Sequence, residues 1–138
     1  MGLFSTFQTS GSGLHVYRTW LDAVSDNVAN LSTATRPGQP AFAERLVVAQ
    51  SIPDGVESGY QQPGGAMVTA AAFGSTRGRL VYQPGHPLAD ANGLVAYPDM
   101  DLSDQMTALL LAQRGYQANL AVVERAKDAY QQALEIGT

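Results

Sequence analysis

The stretch "PGHPLAD" places His86 four positions before Asp90, the combination in this sequence best suited to moving a proton near neutral pH. A carboxylate can orient an imidazole as a general base, and a hydroxyl such as Ser5, Ser10 or Ser12 would complete a small hydrolase. Those serines stand in "STFQTSGSG", without the strand-to-helix elbow that exposes a catalytic hydroxyl. His86 lies in a loop held by Pro84 and Pro87, where a histidine near an aspartate more commonly shapes a turn or meets water. The other imidazole, His15, is distant in sequence, and no HxxxH or HExxH spacing supplies the ligands of a metal. The glycines of "PGG" and "STRGR" do not follow a strand and open a helix, as a phosphate-cradling loop does. No catalytic residue, metal or cofactor is expected.

Charge narrows the partners. Lys plus Arg number 8 against 12 for Asp plus Glu, a net charge of −4, so the chain lacks the basic footprint of a nucleic-acid or anionic-membrane binder. Cysteine is absent, which removes disulfide frameworks, thiolate zinc sites and cysteine nucleophiles together. The opening "MGLFSTFQTSGSG" has no basic segment followed by a continuous apolar run and does not read as a cleaved signal peptide. No run approaches the 18 apolar residues of a membrane span. A chain of 138 residues is expected to form one domain with a single modest core.

The elements that must carry these residues follow from periodicity. Leu3, Phe7, Ser10, Leu14, Tyr17, Leu21, Val24, Val28 and Leu31 alternate in steps of four and three, a heptad seam that predicts an N-terminal helix within 1–35. Gly11 and Gly13 weaken that helix and suggest a break near "SGSG". From 36 to 98 the helical period gives way to short β-type runs, "RLVVAQ", "AMVTAAAF", "RLVYQ" and "GLVAY", separated by turn signals such as "PDG", "PGG" and "ANG". From 99 to 138 the seam returns through Leu102, Met106, Leu109, Gln113, Tyr116, Leu120, Val123, Lys127, Tyr130 and Leu134. Asp99 or Asp101 can cap this second helix, and Gly137 can end it. The expected fold is mainly α with a small β-rich insert, its long terminal helices packed as an antiparallel, coiled-coil-like hairpin.

A two-helix hairpin hides one stripe of each helix, yet Phe4, Val16 and Trp20 flank the first seam, and Leu110, Leu111 and Val122 flank the second. Burying a leucine is worth about 1.5–3 kcal/mol, so these residues favour self-assembly or docking into a bundle. Two other arrangements share the pattern: the insert folding back over the helices, and an adaptor that binds a helical partner. Polar Gln113 and Lys127 interrupt the second seam, where such residues fix register at a cost in stability.

Three segments, "DNVANLSTAT", "LVYQPGHPLADANGLVAYPDMDLSDQM" and "RGYQANLAVVERAKDAYQQALEIG", resemble in order the bacterial flagellar rod and hook protein family. The middle block and the short length resemble its proximal-rod member. The residues that carry the likeness are Asn27 and Asn30, then Pro84, Gly85, His86 and Pro87, and finally Tyr116, Gln117 and Asn119. The resemblance implies a structural, non-enzymatic subunit of the basal-body rod that polymerises through its terminal helices with copies of itself and other rod proteins, forming drive shaft and channel wall. It further implies delivery by the flagellar type III export apparatus without a cleaved signal, and a periplasmic location crossing the peptidoglycan. Seam residues would then join helices and subunits. Asn27 and Asn30 have two readings: side chains that satisfy carbonyls at the helix end as an ordinary C-cap, or amide contacts to a neighbouring subunit.

Overall fold

The computed structural model describes residues 3–57 and 60–136. Two long helices, α1 (Leu3–Asn30) and α2 (Leu102–Ile136), flank six short strands: β1 (Arg45–Ile52), β2 (Gly55–Glu57), β3 (Tyr60–Gln62), β4 (Gly65–Phe73), β5 (Arg79–Tyr82) and β6 (Leu94–Tyr97). The architecture is mainly α with a small β insert. β1 pairs with β4, β2 with β3 and β5 with β6, each as a two-stranded sheet. The four apolar runs expected as strands form β1, β4, β5 and β6, and a further short hairpin, β2–β3, stands between the "PDG" and "PGG" turns. Among the described residues no helix is long and apolar enough to cross a membrane.

The expected break at "SGSG" does not occur: α1 runs unbroken through Gly11 and Gly13. A Cβ at Gly13 would lie 2.8 Å from Asn119 Oδ1, so a side chain there would have to displace the Asn119 amide. Asp101 supplies the cap of α2, its carboxylate accepting from the Ser103 amide at 2.6 Å and its carbonyl from Gln105 at 3.1 Å. Gly137, the expected terminator, lies outside the described residues.

The chain divides into two compact units. One comprises Met1–Leu21, Val48–Ala70 and Leu110–Thr138. Among the residues whose side chains are described, those buried in it are small: Ser10, Ala112 and Ala126. The β3–β4 turn is fastened to α1, with the Thr9 hydroxyl donating to the Gly64 carbonyl at 2.6 Å and Ser12 Oγ accepting from the Ala66 amide at 3.1 Å. It is also joined to the β1–β2 turn, the Gly64 amide donating to the Asp54 carboxylate.

The other unit comprises Asp22–Val47 and Ala71–Leu109. Its core is Val24, Ala41, Val95, Ala96 and Pro98. Full burial of a valine such as Val95 contributes about 1.5–3 kcal/mol. Antiparallel β5–β6 pairs Arg79 with Tyr97 and Tyr82 with Leu94, and Thr35 extends the ladder by exchanging backbone hydrogen bonds with Ala96 at 2.8 and 3.0 Å. Gly78 and Gly93 adopt φ of 67° and 73°, a left-handed backbone that glycine enters without penalty. At Gly93 a side chain would also press on Tyr82 and Pro84, both within 3.0 Å of its Cβ position.

Candidate functional site

The proton-transfer candidates lie in one loop. His86 Nδ1 accepts from the Leu88 amide at 3.1 Å, and the His86 carbonyl accepts from Ala89 at 3.0 Å. Asp90 Oδ1 accepts from the amides of Asn92 and Leu94, both at 2.9 Å. Imidazole and carboxylate are thus each engaged with backbone, organising the loop that joins β5 to β6. Pro84, Gly85 and Pro87 occupy the exposed part of that loop. The arrangement shapes a turn and offers no base to a nucleophile. Among the described residues no group of three or more His, Asp or Glu could hold a metal ion.

Asn27 has a more consequential position. It is 1% exposed, and in place of the expected helix-end cap its side chain bonds to residues outside its own helix. Oδ1 accepts from the Arg45 amide at 2.8 Å, while Nδ2 donates to the Arg45 carbonyl and to Gln105 Oε1, each at 3.0 Å. Gln105, itself 4% exposed, passes the chain on by donating from Nε2 to Glu44 at 2.6 Å. Arg45 then pairs with the Asp26 carboxylate. The end of α1, the entry into β1 and the first turn of α2 are therefore tied by one continuous polar network. A buried amide with satisfied donors and acceptor is stable, whereas the loss of any member strands the rest. Neither Gln105 nor Glu44 stood out in sequence, because isolated polar residues near helix and strand ends look like solvated positions.

Asn30 turns back on its own helix: Nδ2 donates to the Asp26 carbonyl at 2.9 Å and Oδ1 accepts from Thr33 at 3.2 Å. This is the geometry of a side chain closing a helix end.

The α1 seam is the more enclosed of the two. Val24 is buried, and Leu14, Tyr17, Leu21, Val28 and Leu31 are half-buried. On α2 the enclosed line runs through Gln105, Ala108, Ala112, Gly115, Asn119 and Ala126, whereas Leu102, Met106, Leu120, Tyr130 and Leu134 are exposed. Leu109, Tyr116 and Val123 are intermediate, and Gln117 is exposed. Gln113 and Lys127, expected to interrupt the seam, also face outward. Each enclosed residue precedes a member of the expected line by one position, a rotation of about 100° around the helix. The reason is size: a line of Ala, Gly and amide residues lets backbones approach closely but carries little hydrophobic signal. Gly115 illustrates the approach, since a Cβ there would overlap the Tyr17 ring.

Exposed apolar side chains lie on strands β1, β4 and β5, among them Leu46, Phe73 and Leu80, and, of the two helices, on α2. α2 exposes Leu110, Leu111, Val122 and Ile136 in addition to the five residues named above. Over residues 5–30 α1 exposes no large hydrophobic side chain, its outward positions including Gln8, Gly11, His15, Arg18 and Asp22, while the side chain of Phe4 lies outside what is described. Val16 and Trp20, expected to flank the seam, are half-buried.

Comparison with known proteins places these features in company. A family model described as flagellar basal body rod FlgEFG protein C-terminal matches residues 93–136. The chain is 35% identical to the flagellar basal-body rod protein FlgC of Salmonella typhimurium (strain LT2) over 138 residues, 99% of each chain. It is 34% identical to the protein of that name from Agrobacterium fabrum, covering 97% of this chain and 94% of the relative. With the Borreliella burgdorferi relative the identity is 32%, over 99% and 98%.

Proposed function

From the premise that this chain belongs to the FlgC family of flagellar basal-body rod proteins, and so is a structural, non-enzymatic rod subunit, we propose that it polymerises through its terminal helices. The observation that carries this reading is the exposed apolar surface of α2. Each leucine covered by a neighbour contributes up to about 1.5–3 kcal/mol, so a handful suffices to drive ordered association. Copies of the chain and other rod proteins are the occupants of that face.

Within a subunit the two helices run antiparallel as a coiled-coil-like hairpin. Support comes from one unit, where Gly13 abuts Asn119 and Tyr17 abuts Gly115: a step of four forward on α1 meets a step of four backward on α2. The seam and flanking residues then divide between the hairpin and the subunit contacts, with the polar network at Asn27 holding the insert to the helix ends. The subunit reaches the periplasmic rod, within the peptidoglycan layer, through the flagellar type III export apparatus and without a cleaved signal.

Isolation of basal bodies from cells that make a tagged, functional chain tests the assembly reading. The tagged chain is expected to co-purify with the rod and to be lost from it when Leu110 and Leu111 are both changed to Ser. A chain that remains soluble at all concentrations and is absent from washed basal bodies would instead describe an adaptor.

A further inference from the structure

We propose that Gly13 with Asn119 and Tyr17 with Gly115 form a reciprocal lock that sets a single heptad register between α1 and α2 in the unit that contains them. Each helix contributes one notch and, four residues later, one knob: Gly13 and Tyr17 on α1, Gly115 and Asn119 on α2. The Tyr17 ring occupies the space of a Gly115 side chain, and the Asn119 amide occupies that of Gly13. Both knobs are held in place. Asn119 Nδ2 donates to the Gly115 carbonyl at 2.9 Å, and the Tyr17 ring stacks on Trp20 with centroids 6.2 Å apart.

Such a device answers a specific ambiguity. The enclosed line of α2 repeats every seven residues as Gln105, Ala112, Asn119 and Ala126, so a slip of one heptad exchanges the half-buried Asn119 for a buried alanine on the same line. Apolar burial alone barely separates these alignments, and the helices are joined through residues 31–101, not through a tight turn that would impose one. In a slipped pair Tyr17 would meet Ala108 or Val122 in place of Gly115, where a Cβ already fills the notch. Steric exclusion and one positioned amide thus do what greasy seams leave undone. Gly11 serves as an internal control, because nothing lies within 4 Å of its Cβ position.

The absence of cysteine allows a direct reading of register. Full-length chains carrying Gly13→Cys with Asn119→Cys, Ala112→Cys or Ala126→Cys are oxidised, in solution and in isolated basal bodies, and intramolecular bridges are scored by mass. The 13–119 bridge is expected to exceed either slipped bridge at least tenfold while Tyr17 and Gly115 remain, and adding Tyr17→Ala should erase most of that preference. Equal bridging in the three chains, or a preference untouched by Tyr17→Ala, overturns the proposal. Thermal midpoints give an independent sign test. Gly11→Ala should raise the midpoint by about 3–5 °C through helix propensity, Gly115→Ala should lower it, and Gly115→Ala in a Tyr17→Ala background should again raise it. An increase for Gly115→Ala in the otherwise unchanged chain equal to that for Gly11→Ala rejects the lock.

Discussion

Asn27 and Gln105 share a buried hydrogen bond of 3.0 Å although one lies in the last turn of α1 and the other in the first of α2. The bond matters because Asn27 at the same time occupies both backbone groups of Arg45, so a single amide serves three chain segments.

Replacing Asn27 by Ala should therefore be among the most damaging changes in the chain. It leaves the Arg45 amide, the Arg45 carbonyl and Gln105 Oε1 without the Asn27 bond, each at a cost of about 1–3 kcal/mol where water cannot enter. Asn30→Ala, which frees only the half-buried Asp26 carbonyl and Thr33, should cost about 0.5–1 kcal/mol. Urea unfolding of the two variants checks the ranking, and equal losses would mean that the network is not the critical element.

Leu120→Glu tests the exposed apolar face. Leu120 is 38% exposed in the single chain, so a carboxylate there is tolerated by the free subunit but is costly once a neighbour covers it. Motility and recovery in basal bodies should fail while the secreted amount of the subunit is unchanged. Gln39→Glu, on an exposed turn, should leave all three normal. Swimming cells carrying Leu120→Glu would remove that position from the assembly surface.

The His86–Asp90 loop should respond to substitution as a turn. Asp90→Ala removes the acceptor for two amides and should lower stability by about 1–2 kcal/mol, whereas His86→Ala removes one and should cost about half as much. Both variants should assemble into rods at temperatures below their unfolding midpoints. Complete loss of motility in a stably folded His86→Ala chain would assign the imidazole a contact beyond its own loop.

Residues 127–136 are exposed throughout and lie on the last turns of α2. The terminal turns of a solvent-exposed helix fray readily, so amides in this stretch should exchange rapidly in the isolated chain and slow by at least a hundredfold upon incorporation into the rod. Unchanged exchange after assembly would show that these turns remain outside the subunit contacts.

The helix–insert–helix plan was legible because it rests on strong signals: heptad spacing in two long segments, and Pro- and Gly-punctuated β runs between them. The family could be read from ordered blocks of residues, and Asn27 and Asn119 stood within those blocks. Less visible was the work of small and amide residues. Hydrophobic periodicity finds the greasiest stripe of a helix, and on α2 that stripe faces out, while Ala112, Gly115 and Ala126 turn inward. Glycine in a helix was read as a weakness at "SGSG", yet Gly13 is there to admit Asn119. The missing information was tertiary: a glycine that admits a neighbour and one that merely destabilises look alike until the neighbour is known.

The stacked pair Tyr17 and Trp20 has an optical consequence. Trp20 is the sole tryptophan of the chain, and its neighbouring ring is the one seated against Gly115. Indole emission consequently comes from a single place, one turn from the helix contact, with no background from elsewhere in the molecule. A change in the wavelength or lifetime of that emission follows the seating of Tyr17 in real time, so the unlabelled subunit carries its own fluorescent gauge of helix pairing.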